Sequence, residues 1–206
     1  MWRNLRKRRN SRSPSRLVFG LGNPGRRYAE TFHNAGSMVV ELLAISSGIR
    51  LKASGEVEYG VGPLDGEWVL LGRPRTYMNL SGRAVAPLYE RFAGAPGDLL
   101  VLHDDLDLAL GVVRLKRGGG TGGHNGLRSL TEELGTREFL RVRIGIGRPP
   151  EGVDPADFVL RPVPGELRDR FHGGVSFASE AVADILREGF DTAMTRWNAR
   201  HAEPLP

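Results

Sequence analysis

The chain has 206 residues, no cysteine and a formal net charge of +5. That length suits one well-buried core, and the missing thiols exclude a disulfide framework, Cys-ligated zinc and a thiol nucleophile. Residues 1–16 hold seven Arg and Lys and no acid, which leaves 22 basic against 24 acidic residues beyond them, so any nucleic-acid surface on the body is a local patch and not a global field.

In chain order, residues 1–15 read as a disordered basic extension, 16–198 as one domain and 199–206 as a tail. The extension has no apolar stretch of secretory type, and no apolar run reaches the roughly 18 to 20 residues needed to span a bilayer. Leu17 to Leu21 reads as a buried strand that runs into Gly20-Leu21-Gly22-Asn23-Pro24-Gly25. This spacing matches G-x-G-x-x-G, the glycine pattern of dinucleotide sites. Such a site also needs an acid about 20 residues later. Here Glu41 falls inside a helical pattern and the next acid is Glu56. Asn23-Pro24-Gly25 better suits a turn presenting a carboxamide. A nicotinamide-cofactor oxidoreductase therefore stands as a rival to an acid-base cleft.

Asn34 to Ser47 has helical spacing, with Met38, Val39, Leu42, Leu43 and Ile45 expected largely on one face. Val57 to Val61 and Trp68 to Leu71 read as strands joined through 62–66, and a helix from 79 to 92 follows the turn-rich 73–76. Leu99 to His103 is a short strand ending in Asp104-Asp105, and Val112 to Lys116 is another. Residues 118–123, with five glycines among six, form a loop before a helix over 124–134. Phe139 to Ile146 alternates Leu140, Val142 and Ile144 with Arg141, Arg143 and Gly145, as a strand with one polar side does. Residues 148–155 read as loop, and beyond Pro164 a helix carries Phe177, Ala181, Val182, Ile185 and Leu186 as its core stripe. The elements together predict a single α/β domain with a mixed β-sheet surrounded by helices.

His33 follows a strand-end loop and precedes a helix, a place where side chains face a cleft in α/β folds. Asp104, at the end of another strand, could accept the Nδ1 proton of an imidazole and leave the second nitrogen to take a proton from water. The bland reading of Asp104-Asp105-Leu106-Asp107 is a solvated acidic turn. No H-E-x-x-H is present and the glycine run offers no side-chain ligands, so no metal site is expected. The 118–126 loop lacks the G-K-[ST] ending of a triphosphate-binding loop. Lys116, Arg117, Arg141 and Arg143 flank it, either as a solvated strand edge or as a phosphate patch. Asn79 and Asn125 each open a helix and read equally as caps or as substrate contacts.

Five ordered motifs, G-L-G-N-P-G at 20–25, H-N-A-G at 33–36, T-Y-M-N-L-S-G at 76–82, H-D-D-L-D at 103–107 and G-G-G-T-G-G-H-N-G-L at 118–127, resemble bacterial-type peptidyl-tRNA hydrolases. The resemblance extends from Arg16 to Asn198, taking in I-G-I-G-R-P at 144–149. It implies a monomeric, cytoplasmic, cofactor-free and metal-free esterase that cleaves peptide from prematurely released peptidyl-tRNA and so recycles tRNA. By resemblance His33 is the general base, Asp104 orients it, and Asn23, Asn79 and Asn125 position peptide, water and oxyanion. Tyr28, Tyr77, Met78 and His124 would be further substrate contacts, and Lys116 and Arg143 would meet phosphates of the tRNA acceptor and backbone. The segment after Gly147 corresponds to a mobile lid. Each Asn carboxamide offers a donor and an acceptor to a peptide backbone. One departure stands out: Phe32 replaces the Arg usual before the His. A noncatalytic RNA-binding or splicing-type protein on the same fold is the alternative, since a fold does not fix an activity.

Overall fold

The computed structural model describes residues 13–200. Seven strands form one mixed sheet: β1 (Arg16–Gly20), β2 (Lys52–Ser54), β3 (Val57–Leu64), β4 (Glu67–Pro74), β5 (Leu99–Asp105), β6 (Val113–Arg117) and β7 (Leu140–Gly145). Their spatial order is β2-β3-β4-β1-β5-β7-β6. The four central strands β4, β1, β5 and β7 run parallel, and antiparallel β3 with β2, and β6, close the two ends. Helices α1 (Ala35–Ser47), α5 (Arg168–Glu188) and α6 (Phe190–Arg200) cover one face. Helices α2 (Ser81–Phe92) and α3 (Asn125–Leu134) cover the other. A short α4 (Pro155–Leu160) stands beside the carboxyl end of the sheet. The predicted mixed-sheet α/β domain is thus observed.

Alternation along β1 explains the layering. Leu17 and Phe19 enter the core under α2 and α3, while Val18 enters the core under α1 and α5. Each such fully buried side chain contributes roughly 1.5–3 kcal/mol. The chain leaves β1 for α1 and β4 on one side of it, then returns through α2 to β5 on the other. The carboxyl ends of β1 and β5 therefore form a topological switch point, where ligand crevices open in such sheets. The glycines of the first motif make this junction possible. A Cβ on Gly20 would lie 2.0 Å from the Gly36 carbonyl oxygen, and one on Gly36 would lie 2.0 Å from that of Leu102. Close helix–strand approach, and not phosphate binding, accounts for the G-x-G-x-x-G spacing at its first glycine.

Several boundaries differ from expectation. The β3–β4 hairpin runs on to a two-residue turn at Asp65-Gly66, both with positive φ, so residues expected in the connection belong to strands. On α1, Val39 and Leu43 are buried but Leu42 and Ile45 face outward, because the buried arc is completed by Ala35, Val40 and Ala44. The supposed polar side of β7 is not solvated: Arg141 is buried and Arg143 half-buried. Asp104 and Asp105 continue β5 and do not form an acidic turn. Strand β2 and helix α4, both very short, lie in segments whose sequence predicts no element. At the sheet edge, the Asn198 side chain of α6 accepts from the Leu115 amide (2.9 Å) and donates to the Leu115 carbonyl (3.0 Å).

Candidate active site

His33 sits in a single 3-10 turn, Phe32–Asn34, between β1 and α1. Thr31 anchors the turn, its hydroxyl donating to the Tyr28 carbonyl at 2.8 Å. Phe32 packs face to face with Phe158 of α4 (ring centroids 4.9 Å) and edge-on to Phe171 of α5 (5.3 Å). Phe32 thus fills an aromatic pocket adjoining His33. Asn34, unremarked as a site residue in the sequence, is buried and ties down the first motif. Its side chain accepts from the Asn23 amide (2.8 Å) and donates to the Asn23 carbonyl (3.0 Å).

Asp104 is buried at the carboxyl end of β5. Its Oδ1 lies 3.0 Å from His33 Nδ1 and 3.1 Å from His124 Nε2. The partners of each ring fix the tautomers. His124 caps α3: its Nδ1 accepts from the amides of Gly126 (3.1 Å) and Leu127 (3.4 Å), so its proton is on Nε2 and donates to Asp104. His33 donates from Nδ1 to the same carboxylate and keeps its lone pair on Nε2. His103 Nδ1 donates to the Asp104 carbonyl at 2.7 Å, and its Nε2 has no partner among the described residues. The cap of α3 is therefore His124 and not Asn125, whose Oδ1 accepts from Arg128 at 2.8 Å.

These contacts set the charges. Burial alone would raise the Asp104 pKa, but the two imidazoles and their hydrogen bonds overcome it and hold the carboxyl well below its usual range. Burial alone would lower His33, and the Asp104 charge and hydrogen bond reverse this, leaving its pKa raised above 6.5. Burial, aided by neighbouring His124, pushes His103 down to about 3, so this ring is neutral. Among the described residues, His33, Asp104 and His124 form a group whose ligating atoms lie within 4.8 Å of one another. An ion there would have to displace both ring protons from Asp104. The donor set as arranged suits proton transfer better than metal ligation.

A cleft of about 780 Å³ opens beside this group, bounded by the glycine loop on one side and the start of α4 on the other. Strand register makes its floor: His103 and Asp105 from β5, Arg141 and Arg143 from β7, and Lys116 from β6 share one face. The four predicted flanking cations have different fates. Lys116 is exposed and lies against Gly119. Arg143 donates from Nε to Asp105 at 2.7 Å. Arg141 donates to the carbonyls of Gly120 (2.6 Å) and Gly119 (2.7 Å), clamping the glycine loop, and burial lowers its pKa to about 10. Arg117 pairs with Asp191 of α6 and is not among the cleft residues.

Of the predicted site residues, His33, Asp104, Lys116, His124, Asn125 and Arg143 line this cleft. Asn23 instead borders a hollow of about 460 Å³, where its Oδ1 accepts from the Met78 amide at 2.8 Å. Met78 is buried with Leu127 of α3, while Tyr77 and Asn79 are exposed beside it. Asn79 makes no cap, since Leu80 holds that position on α2 without a side-chain bond. Tyr28 is half-buried, with the Arg27 guanidinium over its ring and bonded to its hydroxyl. None of Asn23, Tyr28, Tyr77, Met78 and Asn79 lines the larger cleft, and the Asn23–Met78 bond ties the first loop to the third motif.

A mixed α/β sheet with a buried carboxylate that fixes a cleft-facing imidazole defines an enzyme fitted for proton transfer at a strand-end crevice. The peptidyl-tRNA hydrolase family pattern matches residues 17–204, and the chain belongs to that family. It is 50% identical over 183 residues to a peptidyl-tRNA hydrolase of Nocardia farcinica, covering 87% of this chain and 94% of the relative. With one from Mycobacterium avium the identity is 49%, over 89% of this chain and 97% of the relative. Among solved structures, peptidyl-tRNA hydrolase from Acinetobacter baumannii superposes with a TM-score of 0.83 at 40% identity, covering 92% of this chain and 97% of that one.

Proposed function

We propose that this enzyme hydrolyses the ester between peptide and tRNA in prematurely released peptidyl-tRNA, using water activated by His33 without a metal ion. The observation that carries the mechanism is the His33–Asp104 pair, which turns a lone pair on His33 Nε2 to the reacting water. Water attacks the ester carbonyl as Nε2 takes its proton. The imidazolium then returns that proton to the departing ribose oxygen, so the cycle needs no other acid. Asp104, anionic across the physiological range, stabilises the imidazolium between these steps. A ribose hydroxyl leaves far more readily than an amine, which is why no Ser or Cys nucleophile is needed.

Asn125 and Asn23 both have their carboxamide oxygens engaged, by Arg128 and by the Met78 amide. Among the described residues each keeps its N–H groups free to donate. Asn125, on the cleft, is placed to donate to the developing oxyanion, a contact of the kind worth about 10²–10³ in kcat. Asn23 and Asn79, with Tyr28, Tyr77 and Met78, form the peptide side. His124 is a positioning residue that holds Asp104 and starts the helix of Asn125. Lys116 and Arg143 meet tRNA phosphates. We read the activity as part of translation, carried out by a monomer in the cytoplasm. Among the described residues no helix is long and apolar enough to cross a membrane.

The test is release of labelled peptide from peptidyl-tRNA. His33→Ala is expected to lower kcat about 10²- to 10⁴-fold while tRNA binding persists. Equal catalysed rates for the two proteins would remove His33 from the chemistry, and release by the wild type no faster than the uncatalysed reaction would favour the RNA-binding alternative.

A further inference from the structure

The cationic floor of the cleft is tempered by one carboxylate. Arg143 uses only its Nε among the described residues, donating to Asp105 Oδ2 at 2.7 Å, and its two terminal nitrogens stay unbonded. Asp105 is itself held, because its Oδ1 accepts the Asp107 amide at 2.9 Å. Both partners are largely shielded, with side chains 21% and 15% exposed. Burial resists the Asp105 charge, but the Arg143 hydrogen bond keeps its pKa below the ordinary range, so Asp105 stays ionised. Nearby, Arg141 spends its guanidinium on the glycine carbonyls and Lys116 stands free of any ion pair among the described residues.

A sheet face bearing undirected cations would hold any phosphodiester chain by counterion release. A guanidinium gripped at Nε behaves differently. Its remaining edge points one way, and it rewards a phosphate oxygen pair only in that plane. We infer that Asp105 is a specificity-determining residue: by holding Arg143 at Nε it aims the free guanidinium edge at one phosphate position and discounts its charge toward all other RNA. The inference rests on Arg143 as a phosphate contact, the reading proposed above.

The experiment measures Kd across a salt series for deacylated tRNA and for a uridine oligonucleotide of the same length. The proteins are the full chain, Asp105→Asn, Asp105→Glu and Arg143→Gln. Asn preserves an oxygen for the Asp107 amide while removing the charge. Asp105→Asn should tighten uridine binding about fivefold at 0.1 M salt and steepen its salt slope by about 0.7, the signature of one more single-strand phosphate contact. Its tRNA affinity should change less, so the preference for tRNA narrows. Asp105→Glu keeps the charge and should stay near the parent preference, which a merely structural role for Asp105 would not predict. If Arg143→Gln weakens tRNA binding but Asp105→Asn leaves the preference and slope unchanged, the inference fails while the phosphate reading survives. If Arg143→Gln leaves tRNA binding unchanged, the phosphate reading fails, and the inference with it.

Discussion

Asp104 serves two imidazoles with one carboxylate, and the consequence is kinetic. A general base works only when deprotonated, so kcat/KM rises with pH through the pKa of His33. Asp104 raises that pKa against the effect of burial, which puts the midpoint of the acid limb above about 6.5. In Asp104→Asn the raising charge is gone and burial remains, so the midpoint should move below about 6.5 while the plateau rate falls. A pH–rate profile on peptidyl-tRNA decides it, and an unmoved midpoint would separate Asp104 from the ionisation of His33. His33 was legible as a candidate because it lies between a strand-end loop and a helix, and Asp104 because it ends an apolar strand. Asn34 was not, since a buried Asn and an exposed one look alike until the chain opposite them is known. Asn23 was legible as a residue but not in its orientation, which the distant Met78 amide sets.

At the scale of elements, the glycine loop is held from beneath by β7. Period-two alternation correctly separates the faces of Phe139 to Ile146, but it says nothing about what covers the second face. Here that face carries Arg141 under the loop and Arg143 against Asp105, so charged residues lie inward. Lys at 141 would keep the charge but lose the planar fork that reaches two carbonyls together. Arg141→Lys should therefore speed hydrogen exchange of amides 118–123 by about tenfold, equivalent to one lost charge-assisted bond. The start of α3, independently capped by His124, should be unaffected. Uniform protection across the loop in the variant would show that it is held by other means. Helix α4 and strand β2 are not legible in the sequence because six and three residues give too short a window for periodicity. The outward Ile45 misled for a different reason: apolar spacing on α1 is spread around the helix, and small Ala35 and Ala44 complete the buried arc.

For the whole molecule, the mixed sheet followed from the order of strands, turns and crossovers, and the strand pairing did not. That β5 inserts between β1 and β7, with β6 turned back at the end, is decided by contacts between segments far apart in the chain. The resulting switch point brings residues 33, 104 and 124 together from three separate stretches. The final helix bears on the sheet in a way its own sequence conceals. By accepting from the amide and donating to the carbonyl of Leu115, the Asn198 carboxamide behaves as a strand one residue long. It occupies the open side of β6, the terminal strand. An unguarded flank of this kind is a template on which a second molecule can extend the ladder. Asn198→Ala should consequently lower Tm by a few degrees, as expected for about 1–2 kcal/mol in a chain of this size. It should also introduce concentration-dependent light scattering on warming. The helix tip thus covers the edge it touches, and the scattering of the variant measures what that cover is worth.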